Sequence, residues 1–355
     1  MRGVIVHVNN VAGTGRAFVE ILNAAGQNAT LIDPAKRAAS GEERNRNVIV
    51  RRVNFISQRV YLGLKLRRSR SNLALVHVHY GMFAPVGLVS GLPFVLHFHG
   101  GDLIEDDRRA YWHMLHVYAA RRAARCLVST PDLLQYAERL PVSLEFLPNP
   151  VDLNVESGGG GGGIVFSSKL DSRKGSEIFL PAAIELRKRG YEVTVLGFGS
   201  SAYKDGVLVL IDELNQIGAK IIRQRLSSNE FNDILGKADV VVGQFAVGAL
   251  GVTELDALAR GRPIVTRFDF PAAYGAPPPV SWAQDSAGIV EKVESLLGGA
   301  ALRERQGLEG REWVRREHSR SRIVDRLLTI YEEAMGTQVP VINTQLVGAN
   351  GSADV

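Results

Sequence analysis

Residues 238–265, ADVVVGQFAVGALGVTELDALARGRPIV, constrain this chain more than any other stretch. Val240, Val241 and Val242 form the short apolar run of a fully buried parallel strand. A glycine-punctuated loop follows over residues 244–251. Leu255, Leu258 and Ala259 then recur at helical spacing, and Gly261 ends the helix. Pro263, Ile264 and Val265 open another strand. Strand, glycine loop, helix, strand is a parallel α/β unit. In such a unit the helix N-terminus stands over the strand ends. Free backbone N–H groups and the helix dipole there suit an anion, above all a phosphate.

The same order recurs along the chain. Residues 3–8 read as a buried strand, Gly13-Thr14-Gly15 as a tight loop and residues 17–25 as a helix. Residues 73–79 and 93–98 are two further strands, with a short apolar segment at 82–89 between them. A helix at 107–125, a strand at 125–129, a helix at 131–140 and a strand at 144–147 complete the first half. In the second half a strand opens at Ile164, a helix runs over 176–189 and a strand over 191–196. Gly197-Phe198-Gly199 is a turn, Ser227-Ser228-Asn229-Glu230 a helix start with a Ser cap and an acidic first turn, and residues 286–298 and 302–335 are helical. This alternation predicts two doubly wound parallel sheets, and 355 residues suffice for two cores. Six consecutive glycines at 158–163 offer no side chain to pack and read as a flexible linker. The expected division is a first domain at 1–152, a hinge at 153–163 and a second domain at 164–322. A helix at 323–335 is expected to cross back to the first domain, followed by a loose tail at 336–355.

Only one cysteine is present, Cys126, so no disulfide framework exists, and its apolar neighbours make it a buried strand residue. No signal-peptide pattern or long apolar run is visible, so a cytoplasmic chain that does not span a membrane is expected. The net charge of +5 is unevenly placed: residues 1–150 carry 19 Lys and Arg against 11 Asp and Glu. A basic cluster, Lys65, Arg67, Arg68 and Arg70, ends a helical pattern that starts near Val53. Cations there offset a helix dipole, or they meet anionic lipid headgroups; both readings stay open.

Histidines end two of the strands, His77 and His79 on one, His97 and His99 on the next. Alternation puts His97 and His99 on one face. A metal needs convergent ligands and a second shell, of which the sequence gives no sign, so none is expected. His99-Gly100-Gly101-Asp102 at a strand end is the better functional candidate.

Four motifs together resemble the family 4 (group 1) retaining glycosyltransferases of the GT-B fold. They are His99-Gly100-Gly101-Asp102, Pro148-Asn149-Pro150-Val151-Asp152, Lys169 to Lys174-Gly175, and Asp256-Ala257-Leu258-Ala259-Arg260-Gly261-Arg262-Pro263. The resemblance implies an α/β GT-B fold, two Rossmann-like doubly wound domains facing a cleft. It also implies transfer of a hexosyl group from a nucleotide-diphosphate sugar to a hydroxyl of a glycan, glycolipid or small molecule. The donor is a co-substrate; no cofactor, metal or nucleic acid is implied. Lys169 and Lys174 fall on the family's two basic positions, where cations offset the charge of the leaving diphosphate. Asp256 stands where the family carries the Glu that grips ribose, one methylene shorter. Gly248 stands where the family carries the acidic residue that contacts the sugar. Contact there falls to the backbone of Gly248, Ala249, Leu250 and Gly251, unless a neighbour substitutes. Leu226 belongs to the loop that holds the nucleobase. On the acceptor side, His99 hydrogen-bonds a sugar or acceptor hydroxyl with Asp102 orienting it, and Gly13 and Gly15 form a backbone wall. The basic first domain is compatible with peripheral association at the inner face of an anionic membrane. Two other readings stay open: a catalytically silent relative that binds nucleotide or glycan as a scaffold, and a GT-B nucleotide-sugar epimerase. The second would need side-chain acid–base groups in the donor pocket, where candidates are sparse.

Overall fold

The computed structural model describes residues 3–34, 48–104, 110–155, 159–197, 205–224 and 226–336. The chain forms two compact units, Met1–Pro150 with Ile323–Val355, and Val151–Arg322.

The first unit is built on a parallel sheet of β1 (Val4–Val8), β2 (Ala29–Ile32), β3 (Leu73–His79), β4 (Phe94–Phe98), β5 (Arg125–Val128) and β6 (Glu145–Phe146). Their order across the sheet is β2-β1-β3-β4-β5-β6. Residues of β1, β3 and β4 are buried on both faces, which is why these strands read as continuous apolar runs. The helices are α1 (Thr14–Ala24), α2 (Val48–Arg68), α3 (Ala84–Ser90), the single turn α4 (Gly101–Ile104) and α5 (Ala110–Ala120). The apolar segment read at 82–89 is thus mostly helix α3. The predicted helix at 131–140 is a 3-10 segment, Pro131–Ala137. β2 was not anticipated, since its four residues show no clean alternation. Residues 107–109 of the predicted helix and the tail from 337 lie outside the described residues.

The second unit repeats the plan with β7 (Ile164–Phe166), β8 (Val193–Leu196), β9 (Lys220–Ile222), β10 (Val240–Val242), β11 (Ile264–Thr266) and β12 (Ser281–Trp282). The order is β12-β11-β10-β7-β8-β9, all parallel. Its helices are α6 (Ser176–Lys188), α7 (Asp205–Gln216), α8 (Ser228–Lys237), α9 (Val252–Ala259), α10 (Ser286–Gly298) and α11 (Ala300–Glu317). The expected Ser cap of α8 is a full capping box: the Glu230 N–H donates to Ser227 Oγ and the Ser227 N–H to Glu230 Oε2. Phe198 and Gly199 of the expected turn lie outside the described residues.

The glycine run is a correction to the sequence reading. The division between units falls at Pro150/Val151, ahead of the run, which belongs to the second unit. Gly160, Gly161 and Gly163 take φ of 76°, 83° and 68°, a region that side chains rarely enter. The Gly161 and Gly163 N–H groups donate to the two oxygens of Asp239 (2.9 and 3.0 Å), and the Gly162 N–H to the Lys237 carbonyl (2.9 Å). The glycines are needed for a close backbone fit at the head of β7.

Helix α12 (Arg320–Gly336) belongs to the first unit from Ile323 onward. Ile323, Val324, Leu327, Ile330, Tyr331 and Ala334 join Phe18, Ile21, Leu22, Leu75, Val95 and Leu127 in one core. Arg326 donates to the Phe146 carbonyl (2.6 Å) and to Glu145 (3.1 Å), pinning α12 beside β6.

Candidate functional site

In the second unit, β7 and β10 lie side by side although the chain leaves one toward β8 and the other toward β11. Such a reversal opens a crevice at the strand ends where doubly wound sheets take ligands. Here the Ser167 N–H and hydroxyl both donate to the Val242 carbonyl (3.0 and 3.2 Å), holding the two strand ends together.

Both sequence-predicted lysines lie on the loop after β7. Lys169 is exposed, and its ammonium has no protein partner among the described residues. The turn Ser172–Lys174 is capped by Asp171, whose side chain accepts the Arg173 N–H. The Arg173 guanidinium closes on the same carboxylate at 2.8 Å and holds it below the usual carboxylate range. Lys174 is half-buried and donates to Gln244 Oε1 (2.6 Å), while the Phe245 N–H donates to the Lys174 carbonyl (3.0 Å). The Gln244 amide group passes the link on by donating to the Ala249 carbonyl. Lys174 is therefore fastened to the glycine loop by one side-chain amide, a residue the motif reading missed. Its only sequence signal is its place just after β10.

Glu254 is the other residue missed. It is buried, and its carboxylate accepts the Gln244 N–H and the Gly251 N–H, both at 3.0 Å. The Gly251 amide, expected to be free for a ligand phosphate, is thus already used. A carboxylate at a helix N-terminus satisfies both the orphan amide and the dipole. The amides of Gly248, Ala249 and Leu250 take no acceptor among the described residues.

Gly248 has φ of 69°. A Cβ there would sit 2.5 Å from Asp269 Oδ2, and the Asp269 N–H donates to the Gly248 carbonyl (2.8 Å). A carboxylate thus stands beside the position where the sequence lacks one. Arg267 pairs with it at 2.6 Å. Asp269 lies 21 residues beyond Gly248, past β11, so no local motif discloses it.

Asp256 is half-buried and its carboxylate makes no hydrogen bond among the described residues. Burial pushes its pKa up to about 6 against the pull of Arg260. Leu226 is half-buried against the apolar core beneath α8 and α9, next to the Ser227 cap. Lys174, Ala249 and Gly251 are thus drawn together through Gln244 and Glu254, while Gly248 on the same loop is bonded to Asp269. Lys169, Leu226 and Asp256 are not bonded into that set.

In the first unit the comparable strand ends are those of β1, β3 and β4. Asn9 Nδ2 donates to the His79 carbonyl (3.1 Å), joining the first two. Gly13, left-handed at φ of 86°, precedes α1 and is exposed. Gly15 is buried where a Cβ would run into the Asn9 carbonyl, so only glycine allows α1 to start there. Asp102 is buried and accepts the Gly81 N–H (2.7 Å) and the His99 N–H (3.0 Å). Asp102 thus holds His99 through its backbone, while the imidazole meets His79. Burial raises the Asp102 pKa, opposed first by the Gly81 amide.

The His99 imidazole joins a cluster that periodicity alone could not assemble. His7 pairs in register with His77, and His79 with His97, so His7, His77, His79, His97 and His99 share one sheet face. Their polar atoms form an unbroken series with Tyr331 of α12. His97 Nδ1 lies 3.2 Å from His77 Nε2, and His77 Nδ1 lies 2.6 Å from the Tyr331 hydroxyl. That hydroxyl is 3.2 Å from His7 Nε2. His7 Nδ1 is 2.9 Å from His79 Nε2, and His79 Nδ1 is 3.1 Å from His99 Nε2. Burial lowers all five imidazole pKa values, those of His7 and His99 to about 3. It raises that of Tyr331, so the whole set is neutral at pH 7. Nitrogens of His7, His77 and His79, and of His79, His97 and His99, lie within 4.8 Å of one another, the residues here that could hold a metal.

Residues 14–155 match the family model described as Glycosyltransferase Family 4. A glycogen synthase of Pectobacterium carotovorum is 34% identical over 102 residues, 28% of this chain and 21% of that protein. The match therefore spans about a fifth of that relative. A sucrose-phosphate synthase from Thermosynechococcus elongatus superimposes with a TM-score of 0.70 at 15% identity, covering 94% of this chain and 100% of that one. Anabaena HepE in complex with UDP and glucose gives 0.69 at 13%, covering 92% and 99%. Residues 14–155 thus resemble Glycosyltransferase Family 4, and the two units have the GT-B fold.

Proposed function

We propose that the protein is a retaining, metal-independent hexosyltransferase that moves a sugar from a nucleotide-diphosphate donor to a hydroxyl of a glycan, glycolipid or small molecule. The observation that carries this reading is the Lys174–Gln244–Ala249 link at the β7/β10 crevice. It ties an ammonium group to a loop with three unpartnered amides, an arrangement suited to a diphosphate. Lys169 adds a second cation. Asp256, with no hydrogen bond of its own, accepts the ribose hydroxyls. Asp269 supplies the sugar-contacting carboxylate that Gly248 cannot. That HepE binds UDP supports a nucleotide donor. For retention we expect front-face attack, with the leaving phosphate taking the acceptor proton.

Thermal unfolding with a panel of nucleoside diphosphates and their sugars tests the donor. A ligand at ~100 times its Kd adds about 2.7 kcal/mol of stability. Lys174→Ala is expected to cut donor hydrolysis and transfer by about 10²–10³. Gly248 favours one rival, the silent relative; nucleotide binding without donor turnover, in the wild type and the variant alike, decides for it. No shift with any nucleotide would reject both.

A further inference from the structure

The series His97–His77–Tyr331–His7–His79–His99 has five links and six neutral groups, each carrying one ring or hydroxyl hydrogen, so one hydrogen stays outside the links at an end. Every link needs one donor and one acceptor. Tyr331 is fully buried, so its own hydrogen must enter one of its two links; if all five links are then made, the hydrogens point one way along the whole series. One direction puts the hydrogen of every imidazole on Nδ1, the other on Nε2. The ends decide between them. His97 Nε2 is buried with no hydrogen-bond partner among the described residues. The backbone of Val128 acts on that ring as an acceptor, and with Nδ1 spent on His77 the hydrogen it favours falls on Nε2. At the other end His99 is half-buried, and its Nδ1 has no partner among the described residues. An acceptor nitrogen left there reaches solvent or a ligand at little cost, whereas an orphaned group at the buried end has neither.

We propose that these six side chains act as one directed proton chain, running from His99 to His97, that holds all five imidazoles as Nε2–H tautomers and leaves His99 Nδ1 a bare acceptor for a carbohydrate hydroxyl. Tyr331 is the positioning residue at its centre: its hydroxyl accepts from His7 Nε2–H and donates to His77 Nδ1. The tautomer of His99 is therefore set by Tyr331 of α12, acting through His7 and His79. The acceptor role of His99 rests on the proposed transfer; the direction of the chain does not.

Nitrogen-15 spectra of histidine-labelled, unliganded protein read the tautomers directly, with assignments from single His→Gln variants. Five Nε2–H patterns are expected. In Tyr331→Phe, His7 Nε2–H loses its acceptor, so His7, His79 and His99 are expected to switch to Nδ1–H while His77 and His97 stay. Transfer by that variant is expected to fall about tenfold, the value of one neutral hydrogen bond. Nδ1–H or mixed tautomers in the wild type, or a variant whose His99 does not switch, would overturn the chain. The wild-type spectrum decides the direction whatever the variant's stability. Equimolar Zn²⁺ at micromolar concentration that shifts the His79, His97 and His99 signals would show that the nitrogens hold a metal rather than shared protons, and overturns it too. A switched His99 with unchanged transfer would overturn the acceptor role.

Discussion

At residue 248 a missing side chain and a neighbouring carboxylate explain one another. Gly248 combines φ of 69° with Asp269 Oδ2 at 2.5 Å from any added Cβ. The left-handed conformation alone costs an L-residue roughly 1–2 kcal/mol. Gly248→Ala is therefore expected to lose at least ~1–2 kcal/mol in urea unfolding, and adding Asp269→Ala should recover the steric part. A double-mutant cycle in which the two changes simply add would refute the contact. This residue also shows where sequence reading stops. Lys169, Lys174 and Asp256 stand out in the sequence because each falls on a short motif tied to a local loop or helix. Gln244, Glu254 and Asp269 do not, because their roles come from bonds to atoms of the same loop approached from elsewhere. The histidines were half legible. Alternation puts members of one strand on one face, but only the register of β1, β3 and β4 brings five rings together.

Elements were read well where burial sets their pattern and poorly where backbone geometry does. The buried strands and α6, α8, α9 and α10 follow their apolar periods and caps. The glycine run did not follow its composition, because Asp239 and Lys237 supply backbone partners that a spacer would lack. Helix α2 is a case where two readings remain distinguishable by experiment. Its exposed side carries Tyr61, Leu64, Lys65 and Arg68, apolar groups beside cations at the C-terminal end. The helix dipole accounts for the charges but not for the exposed Tyr61 and Leu64. Binding to anionic vesicles at low salt, weakening as salt rises, is expected at about 1 kcal/mol per basic residue. Lys65→Glu with Arg68→Glu should abolish it. Salt-insensitive binding, or none, leaves the dipole as the whole explanation. Among the described residues no helix is long and apolar enough to cross a membrane.

For the whole molecule, the buried imidazoles set the response to acid. His7 is held at about 3 in the folded chain, against 6.5 when unfolded. Between those values the unfolded chain binds protons that the folded one refuses, so stability is full above pH 6.5 and falls as pH drops. The slope is up to ~1.4 kcal/mol per pH unit for each such imidazole. His77, His79 and His97 are lowered in the same direction. The raised Asp102 acts in the opposite sense, but it is one group against several. Hydrogen exchange at pH 5 against pH 7.5 is expected to show the first unit opening before the second; equal protection in both would contradict it.

Helix α12 has a consequence for how the polypeptide is made. Its Tyr331 meets His7 across 324 positions, and its apolar side closes over strands and a helix translated long before. On the ribosome the early-made half emerges with that strip uncovered and cannot complete its core until α12 has been made, whereas every strand of the second unit lies within 151–322.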